Sequence, residues 1–259
     1  MTNKTALVTG SSSGIGLATA RALAKQGIQV MLNGLEENQE GATIAATIEQ
    51  EFGTKTRYCC ADLSNPGQIE QLFESMLAEF GGIDILVNNA GIQYTAATTE
   101  FPPEKWDQVI AVNLTAAFHT SRLALPLMKK SGWGRIVNIA SVHGLVASAN
   151  KSAYCAAKHG LIGFTKVVAL EHAADGITAN SICPGWTDTP LLQHQFKVFA
   201  EQHGVTAEEA KAGLVKTKTP YPGLIQPSAI GDLVVFLCTD SACGITGAAL
   251  PIDGAWTAQ

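Results

Sequence analysis

A chain of 259 residues, 46% hydrophobic and only 15% charged, is long and apolar enough to bury one large α/β core, which excludes a disordered segment. Its formal net charge of −5 leaves no basic field for nucleic acid, and basic pieces such as Lys129-Lys130 are isolated. Six scattered cysteines (Cys59, Cys60, Cys155, Cys183, Cys238, Cys243) form no metal-binding pattern and read as buried thiols in a reducing, cytoplasmic compartment; no signal peptide and no apolar run near the ~18 residues of a membrane span are evident.

Thr5-Ala6-Leu7-Val8-Thr9 is a short apolar strand that runs into Gly10-Ser11-Ser12-Ser13-Gly14-Ile15-Gly16, after which Leu17, Ala20, Leu23 and Ala24 follow at helical spacing. Strand, glycine turn and helix open a dinucleotide-binding unit. Gly10 permits the tight turn, Gly14 lets the backbone approach a pyrophosphate, and Gly16 allows close helix–strand packing, while the helix amino terminus offers amides and partial positive charge. A plain glycine-rich turn is the bland alternative, and the strand before and helix after are the context that argues against it. The second strand, Gln29 to Leu35, ends where such folds place a ribose-reading side chain. Asn33, Gly34 and Leu35 include neither an Arg for a 2′-phosphate nor an Asp for a 2′-hydroxyl, and Glu36 and Glu37 follow. Two carboxylates without a cation repel a phosphate, so NAD is expected over NADP.

A helix from about Gln39 to Phe52 leads to a third strand, Thr56 to Leu63, whose Asp62 either accepts an adenine amino group or caps the next turn with Ser64. Asp84 to Gly91 reads as a buried strand closed by two amides and small residues that leave room for a cofactor. One long helix is expected over Pro103 to Lys130, with Trp106, Val109, Ile110, Val112, Leu114 and Phe118 on its apolar positions. Asn113, in its middle, either bonds a neighbouring backbone or acts as a polar relay toward a site.

The fifth strand, Arg135 to Ala140, delivers Ser141 at its carboxyl end, where open α/β sheets place ligands. In the helix that starts at Ser152, Tyr154 and Lys158 are four apart and share a face. A phenol titrates near ~10 and a nearby opposite charge lowers an acid's pKa by about 1–3 units, so Lys158 is expected to bring Tyr154 toward the physiological range as an acid–base catalyst. An amphipathic pair with a capping serine is the alternative. A sixth strand, Ile177 to Cys183, turns at Pro184-Gly185 into 186–226, a long segment with few structural signals that is expected to be a lid. A helix from Pro227 to Thr239 and a strand from Ala248 to Ile252 finish seven strands in one domain, 1–259.

Thr9-Gly10-x-x-x-Gly14-x-Gly16, Asn88-Asn89-Ala90-Gly91, Ser141 with Tyr154-x-x-x-Lys158, and Pro184-Gly185 stand in this order. Together they resemble the classical branch of the short-chain dehydrogenase/reductase family over essentially the whole chain. The resemblance implies a single-domain Rossmann-like doubly wound parallel sheet with helices on both faces and a helical substrate lid. It implies Tyr154 as base, Lys158 as ribose ligand and modifier of the phenol, Ser141 as holder of the substrate oxygen and Asn113 as relay. Cofactor contacts are implied for Gly10, Ser12, Gly14, Ile15, Gly16, Leu35, Asp62, Leu63, Asn89, Ala90 and Gly91, together with Tyr154, Lys158, Pro184, Gly185 and Thr189. Gly34 departs from the pattern, since NAD-dependent members often carry Asp there.

A closer similarity lies in Gly91-Ile92-Gln93, the run from Ser141 to Tyr154, and Pro184-Gly185-Trp186, which look like the soluble bacterial D-3-hydroxybutyrate dehydrogenases. It implies reversible, NAD-dependent oxidation of (R)-3-hydroxybutyrate to acetoacetate. The carboxylate would be held by Gln93, His143, Lys151 and Gln195, beside Ser141, Tyr154 and Trp186. An ammonium, two amides and an imidazole suit one small acid, although Lys151 as a solvated lysine and His143 as a backbone-bonded loop residue are the bland alternatives. The apolar helices Pro103–Lys130 and Ser152–Ala174 are expected to pair chains into a homotetramer. Other activities of the same family are a 3-oxoacyl thioester reductase and a sugar or polyol dehydrogenase. A non-catalytic NAD(H) sensor is the reading from another class; it need not keep Asn113, Ser141, Tyr154 and Lys158 together.

Overall fold

Seven strands, β1 (Thr5–Val8), β2 (Gln29–Gly34), β3 (Thr56–Cys60), β4 (Ile85–Asn88), β5 (Gly134–Ile139), β6 (Ile177–Pro184) and β7 (Ala249–Ile252), pair in parallel in the order β3-β2-β1-β4-β5-β6-β7. This is a computed structural model, and it describes residues 3–258. The strands read as unbroken apolar runs because both faces of the sheet are covered. On one face Ala6, Val8, Leu32, Val87 and Val137 pack with Leu23 of α1 (Gly14–Lys25), Ile48 of α2 (Asn38–Phe52) and Val234 of α9 (Pro227–Cys238). On the other, Leu7, Met31, Leu86, Ile136 and Ala179 meet Leu72 of α3 (Pro66–Phe80), Met128 of α5 (Ala116–Ser131) and Val168 of α6 (Ser152–His172). The chain winds outward from β1 to β3, then crosses back to β4, so the switch point lies between β1 and β4. A crevice opens there at the carboxyl ends.

A row of polar side chains crosses the second face. Asn88, Asn138 and Ser181 are partners in register on β4, β5 and β6. Asn88 donates to Asn138 (2.8 Å) and accepts from Thr120 of α5 (2.7 Å); Asn138 donates to Thr165 of α6 (2.8 Å), which also bonds Ser181 (2.8 Å).

Two elements differ from the sequence reading, as does the placing of the cysteines. Cys183 and Cys238 are buried, whereas Cys59 and Cys155 are half-buried and Cys60 and Cys243 exposed, because they lie at a strand end, on a helix's outer side and in a surface turn. The third strand stops at Cys60 instead of Leu63, because the turn after it makes its own bonds: the Asp62 amide donates to Gln68 Oε1 (2.7 Å) and Asp62 Oδ1 accepts from the Ser64 amide (2.9 Å). The long helix is divided into α4 (Pro103–Ile110), a π turn at Ala111–Thr115, and α5. Asn113 sits in that turn, its Oδ1 accepting from the Ile92 amide (3.0 Å) and its Nδ2 donating to the Ile92 carbonyl (2.8 Å). This clamp accounts for the wide turn, a shape common at functional sites. The segment after Pro184-Gly185 is helical, as the resemblance implies, and holds two helices, α7 (Pro190–His203) and α8 (Ala207–Lys216). Thr189 caps α7, a Thr206–Glu209 capping box opens α8, and Leu192, Phe196, Val215 and Leu224 form a small core of their own against Trp186.

Candidate active site

A cleft of about 460 Å³ lies over the carboxyl ends of the strands. Every site residue named from the sequence lines it except Gly16, in the first turn of α1, and Asn113, whose amide is turned onto Ile92. Gly10 and Gly14 take left-handed φ of 58° and 55°, which a side chain would strain. Ser13, at the start of α1, makes no side-chain cap and the first turn carries no acid, so the amides and the positive end of the helix are left to the cleft. The loop is held from behind. Asn33 Oδ1 accepts from the Gly10 amide (3.3 Å) while its Nδ2 donates to the carbonyls of Cys59 (3.3 Å) and Ala61 (3.1 Å). Asn89 Nδ2 donates to the carbonyls of Thr9 (2.9 Å) and Gly10 (2.8 Å). This cradle, with Asp62, Leu63 and the exposed Leu35 along one wall and Pro184, Gly185 and Thr189 along the other, fits a dinucleotide.

Ser141, Tyr154 and Lys158 share the inner end. Ser141 leaves β5 in extended backbone and its Oγ accepts from the His143 amide (3.1 Å). Tyr154 lies in the first turn of α6. Lys158, one turn on, is buried, donates to the Ile139 carbonyl (2.8 Å), and places Nζ 5.7 Å from the centre of the Tyr154 ring. The expected lowering of Tyr154 is not met: burial pushes the phenol up to about 12, opposed by a hydrogen bond with Ser141. Burial brings Lys158 down to about 8, and its ammonium is turned to a carbonyl instead of the phenol oxygen. The arrangement still sets a proton carrier, a hydroxyl and a cation around one point. Such a set can move a proton at a bound oxygen.

A second group lies beside it. His143 is buried, with Nε2 3.0 Å from Ser148 Oγ and Nδ1 3.4 Å from Ser141 Oγ. Burial first, then the charges of Lys151 and Lys218, pull it down to about 4, so the ring is neutral near pH 7. Lys151, lowered by burial, is half-buried in the cleft wall just before α6. Gln195 of α7 donates to Gln93 (3.3 Å), which brings together two amides 102 residues apart. Trp186 has a buried indole N–H without a partner among the described residues. It stacks on Trp256, ring centres 5.2 Å apart, and Trp256 meets the His143 ring edge-on at 5.5 Å.

Trp256 was not legible from the sequence. It follows the last strand in a short tail, where the Asp253 carboxylate accepts from the amides of Ala255 and Thr257 and from the Thr257 hydroxyl. The usable signal was a tryptophan just past a strand's carboxyl end. Of the two acids after β2, Glu36 lines the cleft, whereas Glu37 is exposed outside it.

Comparison with known proteins agrees with this geometry. The family model described as short chain dehydrogenase matches residues 4–198. A D-beta-hydroxybutyrate dehydrogenase of Cupriavidus necator is 52% identical over 259 residues, all of both chains, and one of Rhizobium meliloti is 47% identical over 99% of each. Among solved structures, a variant actinorhodin polyketide ketoreductase with NADPH superposes with a TM-score of 0.92 at 36% identity, covering 98% of this chain and 97% of that one. With a matching family model over most of its length, these relatives, and the glycine cradle and Ser-Tyr-Lys group in place, the chain belongs to the short-chain dehydrogenase family.

Proposed function

We propose that this protein oxidises (R)-3-hydroxybutyrate to acetoacetate, reversibly, with NAD as its cofactor. One observation carries the reading: Ser141, Tyr154 and Lys158 share a cleft with Lys151, His143, Gln93 and Gln195, a donor set for one small carboxylate. The dinucleotide, when bound, accepts the hydride from carbon and returns it in the reverse direction. Tyr154 Oη takes the hydroxyl proton as the alcohol is oxidised and gives it back on reduction. Ser141 Oγ holds the reacting oxygen, and the Lys158 ammonium, once turned from the Ile139 carbonyl toward the cleft, favours the phenolate that takes this proton and supplies donors for the ribose. Lys151 meets the carboxylate charge, with Gln93 and Gln195 giving up their mutual bond to bind it and the neutral His143 bonding as donor or acceptor. Trp186 and Trp256 wall the small space and exclude water.

Residues 186–226 act as the substrate lid of a single domain, and Asn113 serves through its backbone while its side chain holds Ile92. NAD over NADP is supported by the neutral end of β2 and by Glu36, which lines the cleft beside it. Self-association as a homotetramer is supported by side chains that the sheet does not cover, among them Phe118 (47% exposed), Val167 (49%) and Leu170 (85%). Among the described residues no helix is long and apolar enough to cross a membrane.

The test is a screen of (R)-3-hydroxybutyrate, its ethyl ester, a 3-hydroxyacyl thioester and polyols, each with NAD⁺ and NADP⁺. Highest kcat/KM for the free acid with NAD⁺ is expected. A thioester or polyol in first place overturns the substrate assignment, equal rates with both cofactors overturn the NAD assignment, and a monomer by light scattering at micromolar concentration overturns the tetramer.

A further inference from the structure

The end of β2 lacks the aspartate that would normally stand at Gly34, yet the space is not vacant. A Cβ built on Gly34 would collide with Glu36 Oε2, and would lie 3.0 Å from Tyr58 Oη and 3.2 Å from Ser12 Oγ. Glu36 therefore folds back from two residues further along the chain into the volume that a side chain at 34 would take. Tyr58, on β3, holds it there: its hydroxyl reaches Glu36 Oε2 at 3.1 Å and the Glu36 carbonyl at 2.9 Å. The carboxylate stands beside Ser12 of the glycine loop and lines the cleft. The cations lining that cleft among the described residues are Lys151 and Lys158, both at the opposite, catalytic end.

We propose that Glu36, folded over Gly34 and held by Tyr58, is the carboxylate that accepts from the adenosine ribose hydroxyls and sets the choice of NAD over NADP. The proposal rests on the dinucleotide reading given above and names the residue responsible for its selectivity. A carboxylate offers two oxygens with about four acceptor positions; Tyr58 fixes it, and the hydroxyls of a vicinal diol would take positions that Ser12 and the loop amides otherwise fill. A 2′-phosphate would instead meet a fixed negative charge with no cation beside it. The acid is ionised for this role: burial pushes it up, but hydrogen bonds from Ser12, from its own and the Leu35 backbone, and from Tyr58 together outweigh that and hold it below the ordinary carboxylate range. Burial and the Glu36 charge hold the Tyr58 phenol well above its usual value, which keeps it a donor. Gly34 thus has a positive role, since any side chain there would displace the acid.

The test is direct binding of NADH and NADPH to the full chain, read from nicotinamide fluorescence without substrate. The unmodified protein should bind NADH more tightly. Glu36→Ala should weaken NADH by roughly 10- to 100-fold, the effect of losing a hydrogen bond to a charged acceptor, and Glu36→Gln should tighten NADPH by removing the repulsion. Gly34→Ala should weaken NADH as Glu36→Ala does, while Tyr58→Phe should give a smaller loss. Glu37→Gln, a neighbouring charge outside the cleft, should change neither affinity. Unaltered NADH and NADPH affinities in both Glu36 variants would overturn the proposal while leaving the dinucleotide reading intact; an unmodified protein that bound neither nucleotide would overturn both.

Discussion

The floor of the cleft and the α7–α8 segment above it are built differently. On the floor, groups that matter are tied to backbone: Lys158 to the Ile139 carbonyl, Asn113 to Ile92, Asn89 to Thr9 and Gly10. The α7–α8 segment carries its own core of Leu192, Phe196, Val215 and Leu224, and meets the rest of the cleft through a few side chains such as Gln195 on Gln93 and Trp186 on Trp256. Under the proposed function, chemistry belongs to the part that the sheet holds and access to a segment whose own small core lets it shift as a unit.

Variants can break or sharpen that contrast. The largest effect should come from the floor: Tyr154→Phe should cut turnover by about 10²–10⁴ or more while NADH binding and the melting temperature stay near their starting values. Retained turnover would show that the proton carrier lies elsewhere. At the boundary between the two regions, Lys151→Ala should strand the substrate's carboxylate, a cost of about 2–5 kcal/mol, or roughly 30- to 4,000-fold in kcat/KM. The uncharged ethyl ester should lose far less, and equal losses for acid and ester would place Lys151 outside the recognition of charge.

The third effect is on stability. His143 has a folded pKa of about 4 against an ordinary value near ~6.5, so as pH falls the unfolded chain takes up the proton first. Stability from this group is whole above about pH 6.5 and is lost as pH falls toward 4, by up to about 3 kcal/mol. Denaturant titrations of the parent and His143→Gln across that range should diverge, with the variant less sensitive to acid; parallel curves would contradict the buried neutral ring. The smallest effect on activity should come from the lid. Phe196→Ala removes a buried ring from the α7–α8 core. It should raise KM by about tenfold and speed proteolysis within 190–216, with kcat and the main thermal transition nearly unchanged. A large fall in global stability would mean that the segment is part of the main core after all.

The same contrast explains what could be read from the chain. Ser141, Tyr154 and Lys158 were legible because a strand end and a four-residue helical repeat fix their relation locally. The glycine loop was legible for the same reason. The π turn was not, since it accompanies a clamp between Asn113 and Ile92, 21 residues apart, and periodicity carries no record of such a bond. Helices α7 and α8 were legible only through the family resemblance; the local marks of their starts, Thr189 before Pro190 and the Thr206–Glu209 capping box, are short and stand in a segment without strong periodicity. Trp256 depends on Asp253 shaping the tail that carries it. The phenol's value at about 12 turns on burial, which charge spacing alone does not report.

The polar row through Asn88, Asn138 and Ser181 settles a question that the hydrophobic pattern leaves open. A strand with one wet face resists slipping, because a shift by one residue turns its apolar set outward. Strands β4, β5 and β6 are covered on both faces, so Val137 or Ile139 could take the place of Asn138 with little loss of apolar burial. The side-chain bonds remove that freedom. Sliding β5 by one position would carry Asn138 to the opposite face and strand the partners Asn88, Thr165 and Ser181, each at a cost of about 1–3 kcal/mol. Since Ser141 and Tyr154 are set by where β5 ends and α6 lies against it, the row acts as an alignment key, and a one-residue error in assembly would be penalised before the cleft existed.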